Sequence, residues 1–182
     1  MRNIRRGQFA RGCKIMTIGT ATWLPISASD IVVVDAIATA IHPGLPESPE
    51  VFSEKVHLFP SGCFKYVKNN NVMGYGISHP WLLFQIPPLD ELLGGIPTNA
   101  DCMYIHDVAI LPAARGNNAA GKYVDKIREV AKLNNLEKIA CVSVYGTDVL
   151  WGRFGFKIVQ SDGINNKLLT YGNSAKYMIA NV

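Results

Sequence analysis

A chain of 182 residues with 48% hydrophobic side chains can bury one good core but does not ordinarily divide into two domains. No apolar run reaches the roughly 18 residues of a membrane span, because the stretch after Ser29 is broken by Asp35 and stops at His42-Pro43. The net charge of +4 belongs to the first residues, where Arg2, Arg5, Arg6, Arg11 and Lys14 precede the first acid, Asp30, and leave the remainder at −1. Five tail charges with no basic and aromatic surface in the body argue against a nucleic-acid binder. Cys13, Cys63, Cys102 and Cys141 are scattered, with no Cys-x-x-Cys pair, so neither a zinc site nor a disulfide framework is expected. Unpaired thiols suit a reducing compartment, and a cytoplasmic location is expected.

Residues 1–15 read as a basic extension and 16–182 as one domain. The acid-free start fits either a mitochondrial presequence or a translated extension upstream of Met16. A strand is predicted over Ile15 to Thr20, then a helix from Asp30 as N-cap to Ile41. Ser48-Pro49 starts a second helix, running to Leu58. Cys63 to Lys68 and Val72 to Ser78 make a hairpin over the three asparagines at 69–71. His79 to Ala100 is a long loop with Pro87-Pro88 and Gly94-Gly95, of the kind that forms lids and binding walls.

Met103 to Leu111 is nearly continuous in apolar residues except for His106 and Asp107, which predicts a central strand covered on both faces. Pro112 ends its ladder. The next helix, reaching Asn134, sets Ala120, Tyr123, Val124, Ile127, Val130 and Ala131 on one face and Lys122, Asp125, Lys126, Glu129 and Lys132 opposite. A strand over Ile139 to Tyr145 follows, then Trp151-Gly-Arg-Phe-Gly-Phe156. Two strands, Lys167 to Tyr171 and Ala175 to Asn181, are expected to close the sheet.

The junction between the central strand and the helix is the informative part. A tight turn of small residues, Arg115-Gly-Asn-Asn-Ala-Ala-Gly121, delivers unpaired N–H groups and the positive end of the helix dipole, a main-chain site for phosphate. Dinucleotide and P-loop motifs are absent. The turn resembles that of the GNAT superfamily of acetyl-CoA-dependent N-acetyltransferases: Arg or Gln, two variable residues, Gly, one variable residue, then Gly or Ala. Arg115 and Ala120 match its ends, and Asn118 stands at the internal glycine, where Asn tolerates a left-handed backbone. The short helix and Gly-Phe step after Trp151, Ile41-His-Pro43, and Gly74-Tyr-Gly-Ile-Ser-His-Pro-Trp81 extend the resemblance over most of residues 16–160.

The resemblance implies an α+β fold in α/β/α layers: a mixed, mostly antiparallel sheet of six to seven strands with about four helices and a splay between strands four and five. It implies an acyltransferase moving acetyl from acetyl-CoA to a primary amine by direct attack in a ternary complex, without a metal. Arg115, Gly116, Asn117, Asn118, Ala119, Ala120 and Gly121 would hold the pyrophosphate, and the main chain around Val108, Ala109 and Ile110 the pantetheine. His106 is the first choice of base, with a structural histidine as the other reading; alternation sets it and Asp107 on opposite faces. His79 is a second candidate. The family's tyrosine acid falls on Trp151, leaving Tyr145 as the nearest replacement, with a buried structural tyrosine as its other reading.

Charge divides along the chain. Residues 15–54 and 69–114 contain no Lys or Arg but nine acids, whereas Arg115 to Lys138 holds six basic residues and three acids. Together with the apolar Trp81, Leu82 and Phe84, the acidic acceptor side suits a small cationic amine. Expected partners are therefore acetyl-CoA and such an amine, with no nucleic acid and no membrane, in a monomer or homodimer. A catalytically inactive acyl-CoA sensor or scaffold of the same fold is the alternative.

Overall fold

The computed structural model describes residues 21–182, so the strand expected over Ile15 to Thr20 and the basic extension lie outside the described residues. The hairpin forms as the sequence suggests, between β2 (Cys63–Lys68) and β3 (Asn71–Trp81). Asn69 and Asn70 carry φ of 52° and 62°, the paired left-handed conformation of a two-residue hairpin turn, so Asn71 belongs to the strand. β1 (Thr22–Pro25) pairs with the outer edge of β2, and β4 (Cys102–Ile110) pairs with β3 along its length, all antiparallel.

The pattern changes at β5 (Lys138–Ser143). It runs parallel to β4 but is joined to it only where Met103, Ile105 and their neighbour Tyr104 meet Ile139, Cys141 and Ala140. Beyond these residues the two strands part. β6 (Lys157–Ile158) and β7 (Lys176–Asn181) complete a seven-stranded sheet in the order β1-β2-β3-β4-β5-β7-β6.

Both faces are covered, as the apolar run of β4 requires. On one, α3 (Ala119–Leu133) buries Tyr123, Val124, Ile127 and Ala131 against Tyr66, Met103, Ile105 and Ile139, with Trp151 of α4 (Asp148–Arg153) at the end of the cluster. On the other, α1 (Ile31–Ile41) and α2 (Pro49–Leu58) bury Val34, Ile37 and Phe52 against Tyr75, Ile77 and Ala109. Each starts where its cap residues predict, at Asp30 and at Ser48-Pro49.

One expected strand is a helix. Lys167 to Tyr171 falls in α5 (Asp162–Leu169) and the turn after it. Extended Ser161 precedes acidic Asp162, and Ile164 and Leu168, four apart, turn together toward Tyr104 and Tyr177 while Leu169 is exposed. That spacing puts the two on one face of a helix, and a strand would have placed Asn166 on the same face, where it is exposed instead. The helices therefore number five among the described residues, where about four were expected.

Close approach of α3 to β3 sets a tight constraint at Gly76. A Cβ there would lie 2.4 Å from the ring of wholly buried Tyr123, whose hydroxyl is fixed by Ser78 Oγ at 2.7 Å and by donation to the Gly62 carbonyl at 3.1 Å. Gly76→Ala should therefore destabilise the fold by about 1–3 kcal/mol, read as a lower urea midpoint; an unchanged midpoint would mean that the ring is free to slide.

Candidate functional site

The site begins with a fault in the sheet. Ile77 of β3 faces Asp107, yet the next residue, Ser78, faces Ile105, so His106 is an extra residue in β4. A bulge of this kind interrupts alternation. His106 and Asp107, expected on opposite faces, therefore both line one cavity. The cavity, about 900 Å³, occupies the gap where β4 and β5 part.

The segment after α1 meets the bulge crosswise. His42-Pro43-Gly44-Leu45-Pro46-Glu47 contains two prolines, whose fixed φ stiffens it. His106 Nε2 lies 3.0 and 2.9 Å from the two Glu47 oxygens, and His42 Nε2 lies 3.1 Å from Asp107 Oδ1. The buried Tyr75 hydroxyl donates to Asp107 Oδ2. Behind Glu47, wholly buried Lys55 brings its Nζ to 3.9 Å.

Burial opposes the Glu47 charge, but the His106 pairing, the Lys55 ammonium and the Asp90 N–H outweigh it and hold the carboxyl below its usual value. Burial pulls Lys55 down from the ordinary lysine value despite the acids around it. For His42, burial favours the neutral ring, yet the pairing with Asp107, the Val108 backbone and the Glu47 charge prevail and raise its pKa.

His79 is not brought to the cavity. It is wholly buried, its Nδ1 sits 3.1 Å from the Pro80 carbonyl, and its ring stands 5.7 Å from that of His106. Burial, reinforced by His106, drives its pKa down to about 3, so it is a neutral ring packed behind His106. Tyr145, by contrast, lines the cavity just past β5 in a left-handed conformation, φ 55°, and stacks on His42 at 5.7 Å with an interplanar angle of 11°. Burial, and then the charge of Asp107, raises its pKa. Cys141 also lines the cavity, but burial raises its thiol far above the ordinary range and leaves no thiolate nucleophile.

At the other end lies the turn. Arg115, Gly116, Asn118, Ala119 and Ala120 line the cavity; Asn117 and Gly121 do not. Asn118 caps α3 in the left-handed conformation, φ 52° and ψ 35°, as its place in the glycine position suggests. Gly116 has open space at its Cβ position, whereas a Cβ on Gly121 would lie 2.3 Å from Asn118 Oδ1. No acidic residue occupies the first turn of α3, so nothing opposes an anion there. Val108 and Ile110 face the cavity, but the Ala109 side chain is buried in the opposite core against α1.

The loop over residues 82–101 is fastened as a wall. Glu54 accepts the N–H groups of Leu93 and Gly94 at 2.6 and 2.9 Å, Asp90 accepts that of Ser48 at 2.6 Å, and the Tyr171 hydroxyl donates to the Pro87 carbonyl at 2.9 Å. These bonds set Leu89 and Tyr171 into the cavity beside Leu45. Among the described residues no cluster of His, Cys, Asp and Glu suits a metal ion, and no helix is long and apolar enough to cross a membrane.

A mixed sheet parted at its parallel pair, with a small-residue helix N-terminus facing the gap, is the GNAT-like fold. The family model described as the acetyltransferase (GNAT) family matches residues 32–156, and the chain belongs to that family. No curated protein sequence matches the chain. Similar solved structures include the GNAT-like decarboxylase GphF in complex with isobutyryl-CoA, at 16% identity and a TM-score of 0.70 over 88% of this chain and 98% of that one. Naa50 of Arabidopsis thaliana, in complex with the bisubstrate analogue CoA-Ac-MVNAL, has 11% identity and a TM-score of 0.67 over 89% and 98%. A GNAT acetyltransferase from Elizabethkingia anophelis with acetyl-CoA bound has 14% identity and a TM-score of 0.60 over 89% and 98%.

His42, Glu47, Lys55, Tyr75 and Tyr171 were not anticipated as site residues. The absence of Lys and Arg from residues 15–54 hinted at Glu47, but its partner follows only from the bulge. Because the folded Glu47 pKa lies below its ordinary 4.5, the stability it contributes is present above about pH 4.5 and is lost as pH falls through the lower folded value. Glu47→Gln should accordingly flatten the acid side of the stability profile, measured as urea midpoint against pH; an unchanged slope would remove Glu47 from that linkage.

Proposed function

We propose that this chain transfers an acetyl group from acetyl-CoA to a small primary amine of cationic character, by direct attack within a ternary complex. The observation that carries this reading is the single cavity that reaches from the N-terminus of α3 to the His–carboxylate pairs of the bulge. The pyrophosphate takes the N–H groups around Gly116 to Ala120, and the pantetheine lies along the parted edge of β4 near Val108 and Ile110. The cationic lining residues, Arg115 and Arg153, belong to the turn and to α4, while Glu47 and Asp107 line the acceptor end.

An alkylamine with a pKa near ~10 arrives protonated and must lose a proton before it attacks. His106, oriented through Nε2 by Glu47, has an unpartnered Nδ1 to receive it. A main-chain N–H on the free edge of β4 stabilises the oxyanion. Trp151, where the family's tyrosine acid is expected, cannot protonate the leaving sulfur, and Tyr145 is the tyrosine of the cavity just ahead of that helix. A thiolate of pKa about 8.5 leaves readily with little assistance. Trp151 and Asn118 are also the features that favour a binding-only protein, and turnover separates the two.

Acetyl-CoA at a hundred times its Kd should stabilise the folded chain by about 2.7 kcal/mol, seen as a raised thermal midpoint, with thiol release on one class of amine. Stabilisation without release across a broad amine panel would favour the sensor. No shift with millimolar CoA or acetyl-CoA would sink the phosphate-turn reading. Ala120→Trp should raise the KM for acetyl-CoA tenfold or more, equivalent to about 1.4 kcal/mol, with less effect on kcat.

A further inference from the structure

The site contains two histidines, each facing a carboxylate through Nε2: His106 hydrogen-bonds Glu47 and keeps a buried Nδ1 without a partner, whereas His42 lies in ion-pair contact with Asp107 and neither of its buried ring nitrogens has a hydrogen bond. One general base would require only one. They occupy different places. His106 lies toward Glu47 with His79 behind it, whereas His42 meets Asp107 of β4 and Tyr145 beyond β5, and so spans the two strands where they part.

The proton balance of amine acylation explains why two are useful. The nitrogen arrives as an ammonium and ends as an amide with one hydrogen, so a primary amine gives up two protons, one before attack and one as the tetrahedral adduct collapses. The nitrogen lone pair forms the C–N bond, the C–S bond breaks with its electrons to sulfur, and sulfur takes up one proton. The other leaves to solvent. A single imidazole already protonated by the first transfer cannot accept the second.

Resting on the transferase reading above, we propose that His42, held by Asp107 and Tyr75, is a second proton carrier, which takes the proton released on collapse and returns it to the departing sulfur. His106 with Glu47 takes the first. The charged and titratable groups facing His42 are Asp107 from β4, Glu47 from its own loop and Tyr145 from the end of β5, with Tyr75 of β3 acting through Asp107. The carboxylates stabilise the imidazolium formed in transit. Tyr145 shields the ring from solvent on one side.

The test is the pH dependence of kcat under saturating acetyl-CoA and amine. Two histidines that must both begin neutral give the wild-type protein an acid limb of slope two in log kcat. His42→Gln should reduce that slope to one and lower kcat by about 10²-fold or more, while the KM for acetyl-CoA and the acetyl-CoA-induced thermal shift stay unchanged. Asp107→Asn should move the remaining His42 ionisation to lower pH, because the Asp107 charge that favours the imidazolium is lost. A wild-type limb of slope one overturns the proposal, and needs no variant to fold. So does a His42→Gln protein with wild-type kcat and slope. Wild-type protein that releases no thiol with any amine would overturn the transferase reading itself, and this inference with it.

Discussion

The extra residue in β4 is the constraint on which the site depends. In a regular strand His106 and Asp107 would point to opposite faces, one of them into the core under α3. The bulge turns both toward the α1 side, where the Pro-stiffened segment from His42 to Glu47 presents a complementary pair. It also coincides with the last rung joining β4 to β5, since pairing ends at Ile105 and Cys141. A single local irregularity thus opens the cavity and furnishes its polar groups.

Keeping those groups in place costs stability that the rest of the fold must supply. Lys55, Glu47 and His106 are charged or polar groups removed from water, and such groups are tolerated only when each retains partners. Lys55 has Glu47 and the Glu91 carbonyl, and Glu47 has His106 and the Asp90 N–H. The loop over 82–101 is therefore part of the electrostatics of the site, since it contributes two of these partners. Its bonds to Glu54, Ser48 and Tyr171 explain why a twenty-residue connection with no regular structure holds one shape.

Local patterns in the sequence disclose the elements whose identity is set locally. The Ser48-Pro49 start, the hairpin at the asparagines after Lys68, the left-handed Asn118 and the two-faced α3 are legible because capping, turn geometry and helical period are properties of neighbouring residues, although Asn71 joins the strand rather than the turn. The helix at Asp162 to Leu169 differs from the expected strand because Lys-Leu-Leu-Thr-Tyr satisfies either period over so short a span, and only the exposure of Asn166 between Ile164 and Leu168 decides between them. At the site, the turn and His106 were recognisable. His42 and Glu47 were not, because their roles arise from contacts 65 and 59 residues away along the chain, and a bulge leaves no mark in composition; Lys55 enters the site only through Glu47. The same bulge explains why alternation failed for Asp107.

Asn118 and Gly121 have a consequence for how this sequence can drift. The asparagine side chain fills the space that a methyl group at 121 would require, so neither position is independent of the other. Alanine at 121 would meet the far end of that side chain and oblige the asparagine to take another rotamer, whereas glycine at 118 would leave 121 free to vary. The two positions of the turn are thereby coupled, and what one accepts in a descendant sequence depends on what the other already holds.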